Sequence, residues 1–194
     1  MTEEKTTRSF LAVELPGEIL IKITDIQKLL KKTIQGIISW GRPEGIHLTL
    51  KFFGNISGDD VANLSRVVER SLANVKPLSL NVRTIGVFPS IMRPRIIWLG
   101  INGDVAPLIK LQETMDYGFQ DCGFKKEARS FRPHLTMGRI KSPKGLTGLA
   151  KVVEEKENYV AGQFQADGLT LLKSDLTPKG AIYTKLAWFP FQGV

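Results

Sequence analysis

The sequence predicts a fold of mixed strands and helices, assembled from two copies of one strand–helix–strand unit. Strand-like and helix-like patterns alternate along its 194 residues. The two histidines open matching phrases, His47-Leu48-Thr49-Leu50 and His134-Leu135-Thr136-Met137. Each histidine also lies 37 positions beyond a strand-like run, counted from Phe10 in Phe10-Leu11-Ala12-Val13 and from Ile97 in Ile96-Ile97-Trp98-Leu99. A chain of this length fits one unit of two closely packed lobes or one large domain, spanning 1–194.

Ser9–Leu15 is rich in strand formers and is broken by Pro16-Gly17. Ile19, Leu20, Ile23, Ile26, Leu30 and Ile34 recur at helical spacing, and Gly36 stands where that helix stops. A short extended piece at Ser39-Trp40 leads through a Gly41–Gly45 turn to a strand over Ile46–Phe53. Asp59 or Asp60 is placed to cap a second helix striped by Val61, Leu64, Val68 and Leu72. Leu78–Phe88 and Arg95–Ile101 read as strands. Asp104 is placed to cap a third helix carrying Val105, Leu108, Leu111, Met115 and Phe119. Ser130–Ile140 is the next strand and Leu146–Glu157 a shorter helix. Gln163–Leu172 and Ala181–Trp188 close the chain as two strands around a Thr177-Pro178-Lys179-Gly180 turn. Trp40 and Trp98 read as core residues.

At 42% hydrophobic and 24% charged residues the chain affords a sizeable core and argues against wholesale disorder. One cysteine, Cys122, excludes an internal disulfide and a cysteine-rich zinc site, and fits a reduced cytoplasmic compartment. Met1–Ser9 is polar with no apolar signal core, and no stretch reaches a membrane-spanning length, so no membrane association is expected. The charge of +8 fits either a polyanionic partner such as nucleic acid or a merely soluble basic surface. Its distribution is uneven: Lys125–Lys144 holds seven cations and one anion.

Alternation along a strand sends Leu48 and Leu50 to one face and His47 and Thr49 to the other, and likewise separates Leu135 and Met137 from His134 and Thr136. If the halves pack about a pseudo-twofold axis, the two His/Thr faces meet across a cleft. Imidazole titrates nearest neutrality. Two histidines around one phosphorus can therefore divide the work, a neutral one taking a proton from water and a protonated one giving a proton to the departing oxygen. Thr49 and Thr136 are placed to hydrogen-bond the nonbridging phosphate oxygens. This chemistry needs no metal or cofactor, and the sequence offers no HExxH, no His/Cys cluster and no paired-Asp motif beyond Asp59-Asp60. Gly36-x4-Gly41 lacks the Lys-Ser/Thr of a nucleotide-binding P-loop. Strand parity adds Lys51 and Phe53 to the His47 face and Arg132 to the His134 face. Arg132 is then a candidate phosphate contact. Phe53 is either a base platform or core packing.

These residues resemble the two-histidine phosphoesterase superfamily, whose signature is a pair of His-x-Thr-x motifs. More narrowly they resemble the bacterial and archaeal RNA 2′,3′-cyclic phosphodiesterases, historically called 2′-5′ RNA ligases. The resemblance runs from Arg8-Ser9-Phe10-Leu11-Ala12-Val13-Glu14-Leu15-Pro16 through His47–Gly54, Phe88-Pro89, Pro94–Gly100 and Phe131–Arg139 to Leu172-Lys173-Ser174 and Gly180-x-x-Tyr183. It implies a bilobal α+β fold, with antiparallel sheets flanked by helices around a central cleft. It implies hydrolysis of a 2′,3′-cyclic phosphate to a 2′-phosphomonoester, with His47 as proton donor and His134 as proton acceptor, and reversible 2′-5′ joining at the same site. The implied partners are RNAs with 2′,3′-cyclic phosphate or 2′-phosphate ends, tRNA fragments among them, met by a monomer. Arg139 belongs to the shared phrase but is out of phase with His134, and either braces the site or binds a downstream phosphate. Two rival readings are an RNA-binding module without chemistry, built on Lys125–Lys144, and a related enzyme for another cyclic phosphate or a 2′-5′ oligonucleotide.

Overall fold

The computed structural model describes residues 6–178 and 180–193. Lys179, in the expected closing turn, and the first five residues lie outside this range. The elements run β1 (Thr7–Val13), α1 (Gly17–Thr33), β2 (Ile38–Trp40), a single 3-10 turn (Pro43–Gly45), β3 (Leu48–Ile56), α2 (Gly58–Leu72), β4 (Leu78–Phe88), β5 (Ile96–Gly103), α3 (Val105–Asp121), β6 (His134–Ile140), α4 (Leu149–Glu155), β7 (Val160–Ala166), β8 (Gly168–Thr177) and β9 (Gly180–Pro190). The helical stripes are buried as their spacing predicts: Ile19, Ile23, Ile26 and Leu30 on α1, and Leu108, Leu111, Met115 and Phe119 on α3. Among the described residues no helix is long and apolar enough to cross a membrane.

Four local expectations are corrected. The cap of α2 is Ser57, whose hydroxyl accepts from the Asp60 N–H while Asp60 accepts from the Ser57 N–H, so Asp60 closes a capping box from inside the helix. Asp104 sits at the start of α3, but its carboxylate accepts from the Ser79 N–H, tying the helix to β4. The strand expected from Ser130 begins only at His134, after Pro133, which has no N–H to give a ladder. The run expected as one strand over Gln163–Leu172 is two. The chain leaves β7 and enters β8 through Asp167 alone, and the two strands pair with different halves of the sheet.

All nine strands among the described residues form one antiparallel sheet, ordered β7-β4-β5-β6-β3-β1-β8-β9, with β2 also on β6. One residue bridges β7 and β8 although they lie at opposite ends of this order, so the sheet must curl. The first half contributes β3, β1, β8 and β9; the second contributes β6, β5, β4 and β7. They join where Leu48 pairs with Leu135, and both side chains are fully buried. The helices pack on one face over a shared core, and two of them cross over: α1, from the first half, packs on β7, and α3, from the second, packs on β3 and α2. The opposite face carries no α-helix, and its buried apolar residues form a small separate cluster of Phe10, Ala12 and Leu172.

The register shows why parity misplaced two residues. Phe10 pairs with Phe52, Leu11 with Lys51 and Ala12 with Thr49, which leaves Leu50 and Phe53 as extra residues in two β-bulges. Each bulge reverses the alternation. Lys51 therefore turns into the helix-side core, 4% exposed, where its ammonium pairs with Asp116 of α3 and donates to the Lys125 carbonyl at 2.6 Å. Asp116 also accepts from the Glu127 N–H at 2.9 Å. Phe53 packs edge-on against Phe119 and Phe124, so core packing is its role. Neither residue belongs to the His47 face. Breaking a buried pair from one side leaves a buried charge. Lys51→Met is expected to cost about 3–5 kcal/mol in urea unfolding, and Lys51→Met with Asp116→Leu clearly less; equal losses would show that the pair itself carries no weight.

Candidate active site

Leu48 opposite Leu135 fixes the arrangement of both motifs. Extending that antiparallel register by one residue each way sets His47 across from Thr136 and Thr49 across from His134. Since both leucines point into the core, all four polar residues share the helix-free face. The histidines stand on a diagonal of the ladder, about 7–8 Å apart in a regular sheet, with side-chain length to close on a group between them. The two copies are related as expected, except that Ala12 pairs with Thr49 and Trp98 with Thr136. The mate of Phe10 is thus Ile96 rather than Ile97, and the equal spacing was off by one residue.

Each imidazole is held the same way. His47 Nδ1 lies 2.8 Å from the Gly45 carbonyl oxygen and His134 Nδ1 lies 2.6 Å from that of Arg132. A carbonyl can only accept, so Nδ1 carries the hydrogen in both rings and Nε2 is left for chemistry. The part of Arg132 that the structure shows is this main-chain acceptor; its side chain is exposed in the segment before β6. Phe10 stacks on His47 with ring centroids 4.4 Å apart, and Tyr183 meets His47 edge-on at 5.1 Å. Gly45 lets Tyr183 approach closely, since a Cβ there would stand 3.2 Å from the Tyr183 ring. Phe88 meets His134 edge-on at 5.0 Å.

The surroundings of the two rings differ in charge. Burial lowers both pKa values below the ordinary imidazole value. For His47 the Gly45 carbonyl and then the Glu14 carboxylate push back upward; for His134 the Arg132 carbonyl raises and the Arg139 guanidinium lowers further. Glu14 is held by the Thr170 hydroxyl and by Lys185, each at 2.7 Å. Burial raises the Tyr183 phenol, against Arg139 and Arg8, which lower it.

Arg139 therefore belongs to the His134 face, contrary to its phase in sequence. In β6 the pairing steps from Thr136 with Trp98 to Gly138 with Ile97, and the extra residue, Met137, returns Arg139 to that face. The same bulge in β3 brings up Phe52, 55% exposed and 5.7 Å from Phe10. Trp40 packs against the core as expected, but Trp98 lies on the site face beside Phe88. Of the basic segment, Lys126 sits over the Tyr117 ring at 3.8 Å. Phe52, Tyr183 and Glu14 were not singled out from sequence, although Tyr183 stands in the quoted Gly180-x-x-Tyr183. Among the described residues no group of three or more His, Cys, Asp or Glu could hold a metal ion.

Residues 41–178 match the family model of the 2'-5' RNA ligase superfamily. The RNA 2',3'-cyclic phosphodiesterase of Methanothermobacter thermautotrophicus is 35% identical over 182 residues, covering 94% of this chain and 97% of that protein. The protein of the same name from Methanocaldococcus jannaschii is 33% identical, covering 91% and 96%. Among solved structures, the TT0787 protein of Thermus thermophilus superposes with a TM-score of 0.76 at 25% identity, covering 96% of this chain and 98% of that one. LigT of E. coli shares the fold, with a TM-score of 0.73 at 22% identity over 96% and 98%.

The charge asymmetry is open to measurement. In NMR titrations of the ring protons, Glu14→Gln is expected to move the His47 transition to lower pH, because a group that raises its pKa is gone. Arg139→Met is expected to move the His134 transition to higher pH. An unmoved His47 in Glu14→Gln would mean that this carboxylate has no influence at the site.

Proposed function

Because the chain belongs to the 2'-5' RNA ligase superfamily, we propose that it opens the 2′,3′-cyclic phosphate at an RNA end to a 2′-phosphomonoester, with His47 as proton donor and His134 as base. The observation that carries this reading is the matched pair of imidazoles. Each has Nδ1 committed to a carbonyl two residues back, and each has a threonine across the strand on one sheet face.

In the forward direction, His134 Nε2 takes a proton from water as the water oxygen attacks phosphorus. The P–O3′ bond breaks, and protonated His47 gives its Nε2 proton to the departing 3′ oxygen. The Thr49 and Thr136 hydroxyls donate to the nonbridging oxygens as their charge builds. The division of roles follows the charges: Glu14 favours the protonated form of His47, and Arg139 favours the neutral form of His134. Arg139 also faces the phosphoryl group as a cation. With a 5′ hydroxyl in place of water, the same transfers form a 2′-5′ phosphodiester as the 3′ oxygen leaves; run backward, that step regenerates the cyclic phosphate and the free 5′ hydroxyl. In this reading residues 1–194 act as one two-lobed catalytic domain, a cytoplasmic monomer working on RNA ends such as those of tRNA fragments.

Phe52 takes the part that parity had offered to Phe53. It is exposed, aromatic and on the His47 face, and so is placed to stack a base.

Two outcomes test the scheme. His47→Ala and His134→Ala are each expected to lower turnover of cytidine 2′,3′-cyclic phosphate at least about 10²-fold without loss of fold by circular dichroism, and wild-type activity is expected to persist in chelator. Replacing the 3′ bridging oxygen by sulfur supplies a leaving group that needs no proton. It is expected to rescue His47→Ala and not His134→Ala, and the reverse pattern exchanges the roles. For the platform, Phe52→Ala is expected to raise KM about tenfold, the worth of one stacked base, while Phe53→Ala lowers Tm instead.

A further inference from the structure

Resting on the cyclic-phosphate reading, we infer that Arg83 receives the phosphodiester joining the terminal nucleotide to the rest of the RNA, so that the chain leads away from the site across β5 and β4. Arg83 pairs with Gly100 and Gly100 with His134. Residues directly opposite in antiparallel strands share a face, so Arg83, Gly100 and His134 form one row on the helix-free side. The row spans two strand spacings, about 10 Å, a gap that one nucleotide can bridge.

Gly100 leaves the middle of the row as bare backbone. A Cβ there would stand 3.0 Å from the Arg83 carbonyl oxygen and 3.3 Å from the Trp98 ring. The Trp98 ring reaches from Gly100 to Gly86, where a Cβ would stand 2.2 Å from it. Gly100 thus puts no side chain of its own between the base histidine and the guanidinium. Arg83 Nε is buried with no hydrogen-bond partner, and none of the ion pairs among the described residues involves Arg83. A half-buried guanidinium with no anion beside it suits an anionic ligand.

Beyond Arg83 the same face carries neutral polar groups. Asn81 pairs with Asn102 on one side and with Gln163 on the other. The strands β4, β5, β6 and β7 contain no Asp or Glu. The first half is different. Two residues beyond Ala12 stands Glu14, the mate of Gly100, a carboxylate paired with Lys185.

The test compares cytidine 2′,3′-cyclic monophosphate, which has no 5′ phosphate, with the dinucleotide CpC ending in a 2′,3′-cyclic phosphate. In Arg83→Gln, kcat/KM for CpC is expected to fall about tenfold, the worth of one charge-assisted contact, and kcat/KM for the mononucleotide to stay within about twofold. A neutral methylphosphonate in the CpC linkage is expected to bring wild type down to the level of Arg83→Gln and to cost that variant nothing more. Arg83→Lys keeps the charge and is expected to keep most of the dinucleotide preference, which also guards against a folding defect in the glutamine variant. Equal losses on both substrates, no loss on either, or a methylphosphonate penalty undiminished in Arg83→Gln would each overturn the assignment. Wild type that opens neither substrate would defeat the cyclic-phosphate reading and this inference together.

Discussion

One backbone pairing, Leu48 with Leu135, holds the two halves in a single sheet and sets both motifs at once. Its register is enforced by burial, since both side chains are 0% exposed within the shared core. A slip of one residue would expose two leucines and drive two imidazoles into an apolar interior. The cost of that exchange makes the position of His47 relative to His134 a consequence of hydrophobic packing. Because the pairing sits on the pseudo-twofold axis, it places Thr136 beside His47 and Thr49 beside His134 with no further specification.

What the sequence made legible is what periodicity encodes. The stripes of α1 and α3, the full extent of β4 and the outward face of the two His-x-Thr phrases follow from spacings of 3.6 and 2 residues. What it hid is where the period of two fails. Leu50, Phe53 and Met137 are ordinary strand formers, and nothing in their chemistry announces an extra residue in the ladder. Yet each reverses every side chain after it, which is why Lys51 and Phe53 leave the site while Phe52 and Arg139 enter it. The break at Asp167 was hidden for a related reason: one residue is too short to interrupt an apolar pattern. Tyr183 reaches the site only through the pairing of β8 with β9, a long-range fact that no local spacing carries.

The buried pair of Lys51 and Asp116 has a positional logic. Lys51 follows His47 by four residues, while Asp116 and the backbone at Lys125 and Glu127 belong to the helix and segment that lead to His134. The pair therefore joins the strand of one histidine to the approach of the other. Desolvating two charges is expensive, and well-packed apolar residues often stabilise as much. A hydrogen-bonded pair differs in direction: it accepts only one arrangement of strand, helix and segment, whereas apolar contacts tolerate sliding.

The near-symmetry of the halves is useful because it is broken at the right places. Two identical imidazoles in identical settings could share one proton, but nothing would decide which of them holds it. The fold keeps what positions the rings, a carbonyl on each Nδ1, and varies what charges them. The fifth residue after the histidine is Phe52 in one copy and Arg139 in the other, brought to the same face by matching bulges. The residue two beyond the strand centre is Glu14 in one and Gly100 in the other. Around His47 stand Phe52 and the Glu14 carboxylate, which is paired with Lys185, and around His134 stand Arg139 and the side-chain-free Gly100. In the proposed scheme, backbone symmetry supplies the geometry for two proton transfers, and a few side chains at symmetry-related positions give those transfers their direction.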